Sequence, residues 1–479
     1  MTDMAVKRGR DEERKGSEEH EAADNVRAEN LIGIAAVVVL IAASLARTFG
    51  GPPSLYRVTA GAALLLIAAG YRRINPKLRN TSFVLLTAGA LALPWARDPS
   101  SAIQRGVFVA GLLLSLTASV MLIARCAMQS RRIHAIGAGL REREGGSRYL
   151  AFTLVSQFFS GILGLAGAHL MFIMAAPATE AVNPTRTASV VAVTRGFAAA
   201  SCWSPVFGNM AILLALYPSL HWIEVFPVGF ALGQLTIAVG ALTNRSGRRP
   251  RDVEQARPTS AWTLVSAALP LLLSLLAFLA AIIVIGNTLH IVISAAIVLL
   301  APFLSLAFHA ATGKPGRRLA DGAHGLGRGM RQFPTLANEA ILFIAAGCAG
   351  SVMADAFPGA WAAMIGQALS AHPFWGLSFL LFGIMAAALA GIHPVLSAVF
   401  LATTLPPALL GLPPLTHMAA ILAGWGLSAS LTPFSVLSLT ASRYAGVGLY
   451  QISLVKNGAF VLFNSLLICA LLSAYVLLR

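Results

Sequence analysis

Apolar runs long enough to cross a lipid bilayer recur from residue 31 to residue 478, and nothing else in the chain limits its fold as strongly. A span needs about 20 mostly apolar residues, because each helical residue rises about 1.5 Å across a hydrocarbon core about 30 Å thick. Within that core the backbone must satisfy its own polar groups, which leaves helices or a closed barrel. Barrel strands alternate polar and apolar residues. The run 271–285 does not alternate. The sequence therefore predicts an all-α polytopic membrane protein.

Charge fits the same reading. Only 11% of the 479 residues are charged, against about 25% in soluble domains. The net charge of +16 would suit nucleic acid, but the basic residues fall mostly in a tail and in short loops, as the positive-inside rule expects. The expected partners are the lipid bilayer and a small solute, with no nucleic acid, and a homodimer is compatible with this. Cys126, Cys202, Cys348 and Cys469 lie in or beside apolar runs without metal-ligand spacing. They read as packing residues, and no metal site is assigned. Residues 1–29 are polar and densely charged and lack a signal peptide's apolar core. They are expected to form a disordered cytoplasmic tail, with 30–47 as an uncleaved anchor in the inner (plasma) membrane.

Three basic loops, 125–148, 245–257 and 314–331, test the topology. If 149–176 crossed once, the five arginines of 245–257 would face outward, against the positive-inside rule. A re-entrant hairpin over 149–176 removes the conflict. The run 374–410 is too long for one span and carries His393-Pro394 near its middle. It reads as a second hairpin, entering from the other side. The expected architecture is about eleven transmembrane helices plus two hairpins.

An internal repeat points the same way. Leu165-Ala166-Gly167-Ala168-His169 matches Leu389-Ala390-Gly391-Ile392-His393. After each hairpin, the stretch from Gly196 through Ser201 to Ser204-Pro205 matches the stretch from Gly424 through Ser428 and Ser430 to Thr432-Pro433. The first repeat is placed at 55–242 and the second at 261–479, joined by the basic loop 243–260. Proline removes a backbone donor and clashes with the preceding turn. The long runs 187–217 and 415–442 are therefore expected to be helices broken at their middle. Such breaks are tolerated at membrane depth only where they meet protein or a cavity. Inverted repeats place solute between paired broken helices. The candidate ligands are Ser201, Ser204, Asn209, Ser428, Ser430 and Thr432, with His169 and His393 as a symmetric titratable pair. Gly167, Gly391, Pro205 and Pro433 are expected to shape the turns and breaks.

Two opposed hairpins, each followed by a helix with a hydroxyl-proline turn, resemble the ion transporter superfamily. That group includes divalent-anion/sodium symporters and the large permease subunits of TRAP transporters. The resemblance rests on Trp203-Ser204-Pro205-Val206 and Leu431-Thr432-Pro433-Phe434. It covers roughly 149–242 and 261–478. It implies an elevator-type motion of a hairpin-bearing domain. The Ser-Asn-Thr signature of the divalent-anion symporters is absent, and Gly-x-His stands at both hairpin tips. Substrate and coupling ion, Na⁺ or H⁺, therefore stay open.

Arg195 lies in an apolar context just before the first break. An intramembrane charge marks a functional residue by default, and an anionic solute is one partner for it; snorkelling to the cytoplasmic face is the other reading. Glu339 and Asp355 flank one span and read as solvated ends, with a proton or Na⁺ role for Glu339 as the alternative. No Walker motif is present. A secondary transporter for a small anionic solute, without a cofactor, is the leading function. A membrane-embedded enzyme is the competing one: a glycan ligase or polymerase, or a hydrolase pairing Ser201 with His169.

Overall fold

The computed structural model describes residues 28–129, 136–137, 139–143, 145–177, 182–244 and 261–478. The expected tail over 1–29 and the loop 243–260 lie almost wholly outside the described residues. Regular structure among the described residues is helical. Seven helices are long and apolar enough to cross a membrane, and shorter apolar helices accompany them. The protein is a polytopic α-helical membrane protein.

Four helices open the chain: α1 (Ala28–Thr48), α2 (Leu55–Gly70), α3 (Pro76–Ala92) and α4 (Pro99–Met128). The start of α4 is fixed locally. Pro99 supplies the helical φ, and Asp98 accepts from the Ser101 amide at 3.1 Å and the Ser101 hydroxyl at 2.5 Å. A later helix, α13 (Ala337–Ala356), packs against α2, α3 and α4. Small residues permit this close approach, as membrane helices lack a hydrophobic drive to associate. A Cβ on Gly106 of α4 would run into the backbone of α13 at Gly347 and Cys348.

The remaining helices are α5 (Gly145–Leu163), α6 (Leu165–Ala175), α7 (Pro184–Ser201), α8 (Gly208–Leu216), α9 (Trp222–Thr243), α10 (Ala261–Leu289), α11 (Ile293–Thr312), α12 (Arg318–Met330), α14 (Gly359–Ser370), α15 (Pro373–Leu389), α16 (Pro394–Thr404), α17 (Pro414–Leu431), α18 (Val436–Ala445) and α19 (Lys456–Leu477). A short π-helix, Gln451–Val455, leads into α19. The largest buried cluster lies among α7 to α9, α15 to α17 and α19, and includes Cys202, Met210, Ile384, Leu427 and Phe460.

Two expectations are corrected here. The third basic loop, 314–331, is mostly the helix α12. Its buried face is made of Gly322, Gly325 and Gly329, spaced to fall on one side of a helix. A Cβ on Gly325 would collide with the His309 ring of α11, so only glycine allows the contact. The segment between the expected spans 336–353 and 374–410 also holds a helix of its own, α14.

Candidate functional site

Two helix pairs, α5–α6 and α15–α16, reverse on glycines. Gly164 has φ +56° and ψ −133°, a mirror-β conformation open to glycine alone. Gly391 has φ +87°. Gly167, the expected turn of the first hairpin, sits inside α6 instead. There a Cβ would collide with the Phe159 carbonyl of α5, so Gly167 lets the two arms close together. The sequence match of Gly167 to Gly391 is therefore three residues out of register. The structural counterpart of Gly391 is Gly164.

The breaks that follow are built to one plan. α7 ends at Ser201 and α8 begins at Gly208; α17 ends at Leu431 and α18 begins at Val436. The Ser204 hydroxyl donates to the Gly161 carbonyl at 2.5 Å, and the Thr432 hydroxyl donates to the Ala388 carbonyl at 2.7 Å. Gly161 and Ala388 each lie three residues before the positive-φ glycine of their hairpin. The same two hydroxyls accept from the amides of Val206 at 3.1 Å and Phe434 at 3.2 Å. Each hydroxyl-proline turn thus fastens its break to the hairpin before it. Pro205 and Pro433 sit inside the breaks, where their missing N–H leaves no orphan donor.

The breaks also free carbonyls. The Ser201 carbonyl accepts from Asn209 Nδ2 at 3.0 Å. Its counterpart, the Ala429 carbonyl, accepts from the hydroxyls of Ser435 at 2.6 Å and Ser438 at 3.2 Å. Sequence matching missed Ser435 and Ser438, because Asn209 aligns with Leu437. The readable signal was a hydroxyl at the N-cap, where Ser435 also accepts from the Ser438 amide at 2.9 Å. Across the middle, a Cβ on Gly426 of α17 would collide with Ser201 Oγ, so α7 and α17 touch beside the first break.

The remaining expected ligands are engaged elsewhere in this conformation. Ser201 Oγ donates to Ala198 O at 2.8 Å, Ser428 Oγ to Trp425 O at 2.7 Å and Ser430 Oγ to Leu427 O at 2.9 Å. All three are bonded back to their own helices. His169 is exposed, one turn into α6, with its ring edge-on to Tyr444 at 5.6 Å. His393 caps α16, accepting from the Val395 amide at 3.3 Å, and its ring faces Phe343 at 6.5 Å. The two histidines therefore do not occupy equivalent places. The Ser201 hydroxyl and the His169 ring, paired in the hydrolase reading, each have these other partners.

No protein-family model matches this sequence, and no curated protein matches it. Among solved structures, the chain is similar to the Alcanivorax borkumensis YdaH transporter, whose crystal structure is described as revealing an unusual topology. Identity is 14%, the match covers 82% of this chain and 97% of that one, and the TM-score is 0.49.

Arg195 is buried, six residues before Ser201. Its Nε donates to Asn457 Oδ1 at 3.0 Å. Nη1 donates to Tyr149 Oη at 3.0 Å and Gly240 O at 3.3 Å, and Nη2 donates to Lys456 O at 2.8 Å. The guanidinium also lies 4.2 Å from the centroid of the Phe460 ring. These bonds tie α7 to α5, α9 and α19, so Arg195 acts as a clamp between helices. Among the described residues no carboxylate pairs with it. Asp355 pairs with Arg105 at 3.5 Å and accepts from the Asp98 amide at 2.7 Å. Glu339 Oε2 is buried without a hydrogen-bond partner among the described residues.

Sequence reasoning also missed two corners. Tyr217, at the end of α8, and His417, in the first turn of α17, lie 2.5 Å apart, and His417 Nε2 bonds Leu405 O at 2.8 Å. Leu405 O can only accept, so Nε2 carries the proton and the Tyr217 hydroxyl donates to Nδ1. At the other corner, Arg186 Nε donates to Tyr444 O at 2.8 Å and Nη1 to Pro177 O at 3.4 Å.

Proposed function

We propose that the chain is a secondary active transporter that moves a small anionic organic solute across the inner (plasma) membrane. The single observation that carries this reading is the matched pair of junctions, Ser204 to Gly161 and Thr432 to Ala388, each joining a helical reversal to a broken helix. Two such units of opposite orientation, one re-entrant from each side, would form inverted repeats with solute between the breaks. The half-helices α8 and α18 begin at the breaks, and their free amide ends favour negative charge. In this reading the ligands are backbone amides and the hydroxyls of Ser201, Ser204, Ser428, Ser430 and Thr432, freed from their present partners when solute enters. The body containing both reversals would move as an elevator against α1–α4 and α13, as in the ion transporter superfamily that the sequence resembles. The driving ion is Na⁺ or H⁺, and the N-terminus faces the cytoplasm.

Solute counterflow into proteoliposomes tests the class directly. Labelled carboxylates and other organic anions are screened against a trapped unlabelled pool. Uptake that needs the trapped pool and a Na⁺ or proton gradient is the expected result. Hydrolysis or ligation of the added compound, without counterflow, would favour the membrane-embedded enzyme.

A further inference from the structure

A cavity with a polar lining opens where the end of α1 meets the starts of α2 and α4. It encloses about 430 Å³. Its polar lining comes from Ser44 and Arg47 of α1, Tyr56 and Thr59 of α2, and Ser101, Gln104 and Arg105 of α4. No carboxylate lines it.

The donors here are incompletely used. Among the described residues Arg47 makes one hydrogen bond, Nη1 to Gly51 O at 3.3 Å. Arg105 meets Asp355 through Nη2 alone, at 3.5 Å. Ser44 is only 7% exposed and lines the cavity. The two guanidiniums come from different helices, α1 and α4, and Ser44 stands one turn before Arg47 on α1. Guanidinium forks and hydroxyls, with no carboxylate in the lining, suit the several oxygens of a phosphate.

We propose that this cavity binds a phosphate group, held by Arg47 and Arg105 with Ser44 donating to a third oxygen. The phosphate comes either from an anionic phospholipid, reaching the cavity at the ends of the membrane helices, or from free phosphate in solution.

Binding to the purified full-length protein separates the two sources. The probes are inorganic phosphate, short-chain phosphatidylglycerol and short-chain diacylglycerol, each followed by native mass spectrometry and titration calorimetry. Phosphatidylglycerol bound with diacylglycerol and phosphate not bound assigns the lipid. Inorganic phosphate binding by itself assigns the free anion. In either case Arg47→Gln should weaken binding about tenfold or more, as loss of a charge-assisted bond predicts. Arg105→Gln should act likewise, and Ser44→Ala should weaken binding severalfold while leaving both guanidiniums in place. Arg47 is exposed, so its replacement leaves the core intact. Equal binding of diacylglycerol and phosphatidylglycerol overturns the proposal. So does binding that is unchanged in both Arg47→Gln and Ser44→Ala, or no binding of any probe.

Discussion

Arg186 and His417 hold corresponding corners of the two broken helices. Each sits in the first turn of its helix. Each reaches the end of the other broken helix, at Tyr444 or Tyr217, and the end of its own hairpin, at Pro177 or Leu405. One corner is held by a fixed charge and the other by a histidine between a phenol and a carbonyl. Tyr217→Phe and His417→Leu should each destabilise the protein, and the double variant should lose less than the sum. A coupling of about 0.5–3 kcal/mol is expected for groups in one hydrogen-bond network. Denaturant unfolding of the four proteins in detergent measures it, and strictly additive losses would show that the two side chains act separately.

Ser204→Ala and Thr432→Val should loosen each break from its hairpin. Each substitution removes two bonds, each worth about 0.5–1.5 kcal/mol, and frees the Val206 or Phe434 amide; Ser204→Ala also strands the Gly161 carbonyl, whereas Ala388 O keeps the Gly391 amide at 3.1 Å. Counterflow should fall in both variants while membrane insertion persists. Full transport in the double variant would place the solute elsewhere.

Gly164 and Gly167 should fail for different reasons. No heavy atom lies within 4 Å of a Cβ built at Gly164. Gly164→Ala therefore costs backbone strain alone, about 1–3 kcal/mol. Gly167→Ala instead drives a methyl into the Phe159 carbonyl and should part α5 from α6. Cysteine pairs engineered across α5 and α6 report the difference: crosslinking should survive Gly164→Ala and drop in Gly167→Ala.

Arg195→Lys is not a conservative change. A lysine cannot serve Asn457, Tyr149, Gly240 and Lys456 from one planar fork. Loss of even one hydrogen bond to the charged group costs about 1.5–3 kcal/mol. The unfolding midpoint should drop in Arg195→Lys, and solute affinity of the folded fraction should hold. A selective loss of affinity with unchanged stability would restore Arg195 as a solute ligand.

The re-entrant reading of 149–176 predicts that residues 245–257 face the cytoplasm. Single cysteines in that loop should resist membrane-impermeant maleimide in whole cells and react after permeabilisation. Labelling from outside would remove the re-entrant reading of 149–176.

Local sequence was enough to set the solvent and most of the elements. Repeated apolar runs demand helices in lipid, and Pro205 and Pro433 announce helix breaks, because both effects act within one segment of chain. The pairing of the two hydroxyl-proline turns was legible for the same reason: identical local constraints select similar residues at one spacing. Register in the hairpins was not. Leu-Ala-Gly-x-His occurs twice, but small apolar residues recur by chance in such a chain, and whether Gly164 or Gly167 makes the turn depends on what α6 packs against. Partners distant in sequence decided the rest. Arg195 was readable as a buried charge, but only folding brought Tyr149, Gly240 and Asn457 around it and made it a clamp. His417 looked unremarked in an apolar run until Tyr217, 200 residues earlier, and Leu405 met it. α12 read as a basic loop because its arginines and glycines masked its amphipathic pattern, and its closest contact is a bare glycine surface fitted to His309.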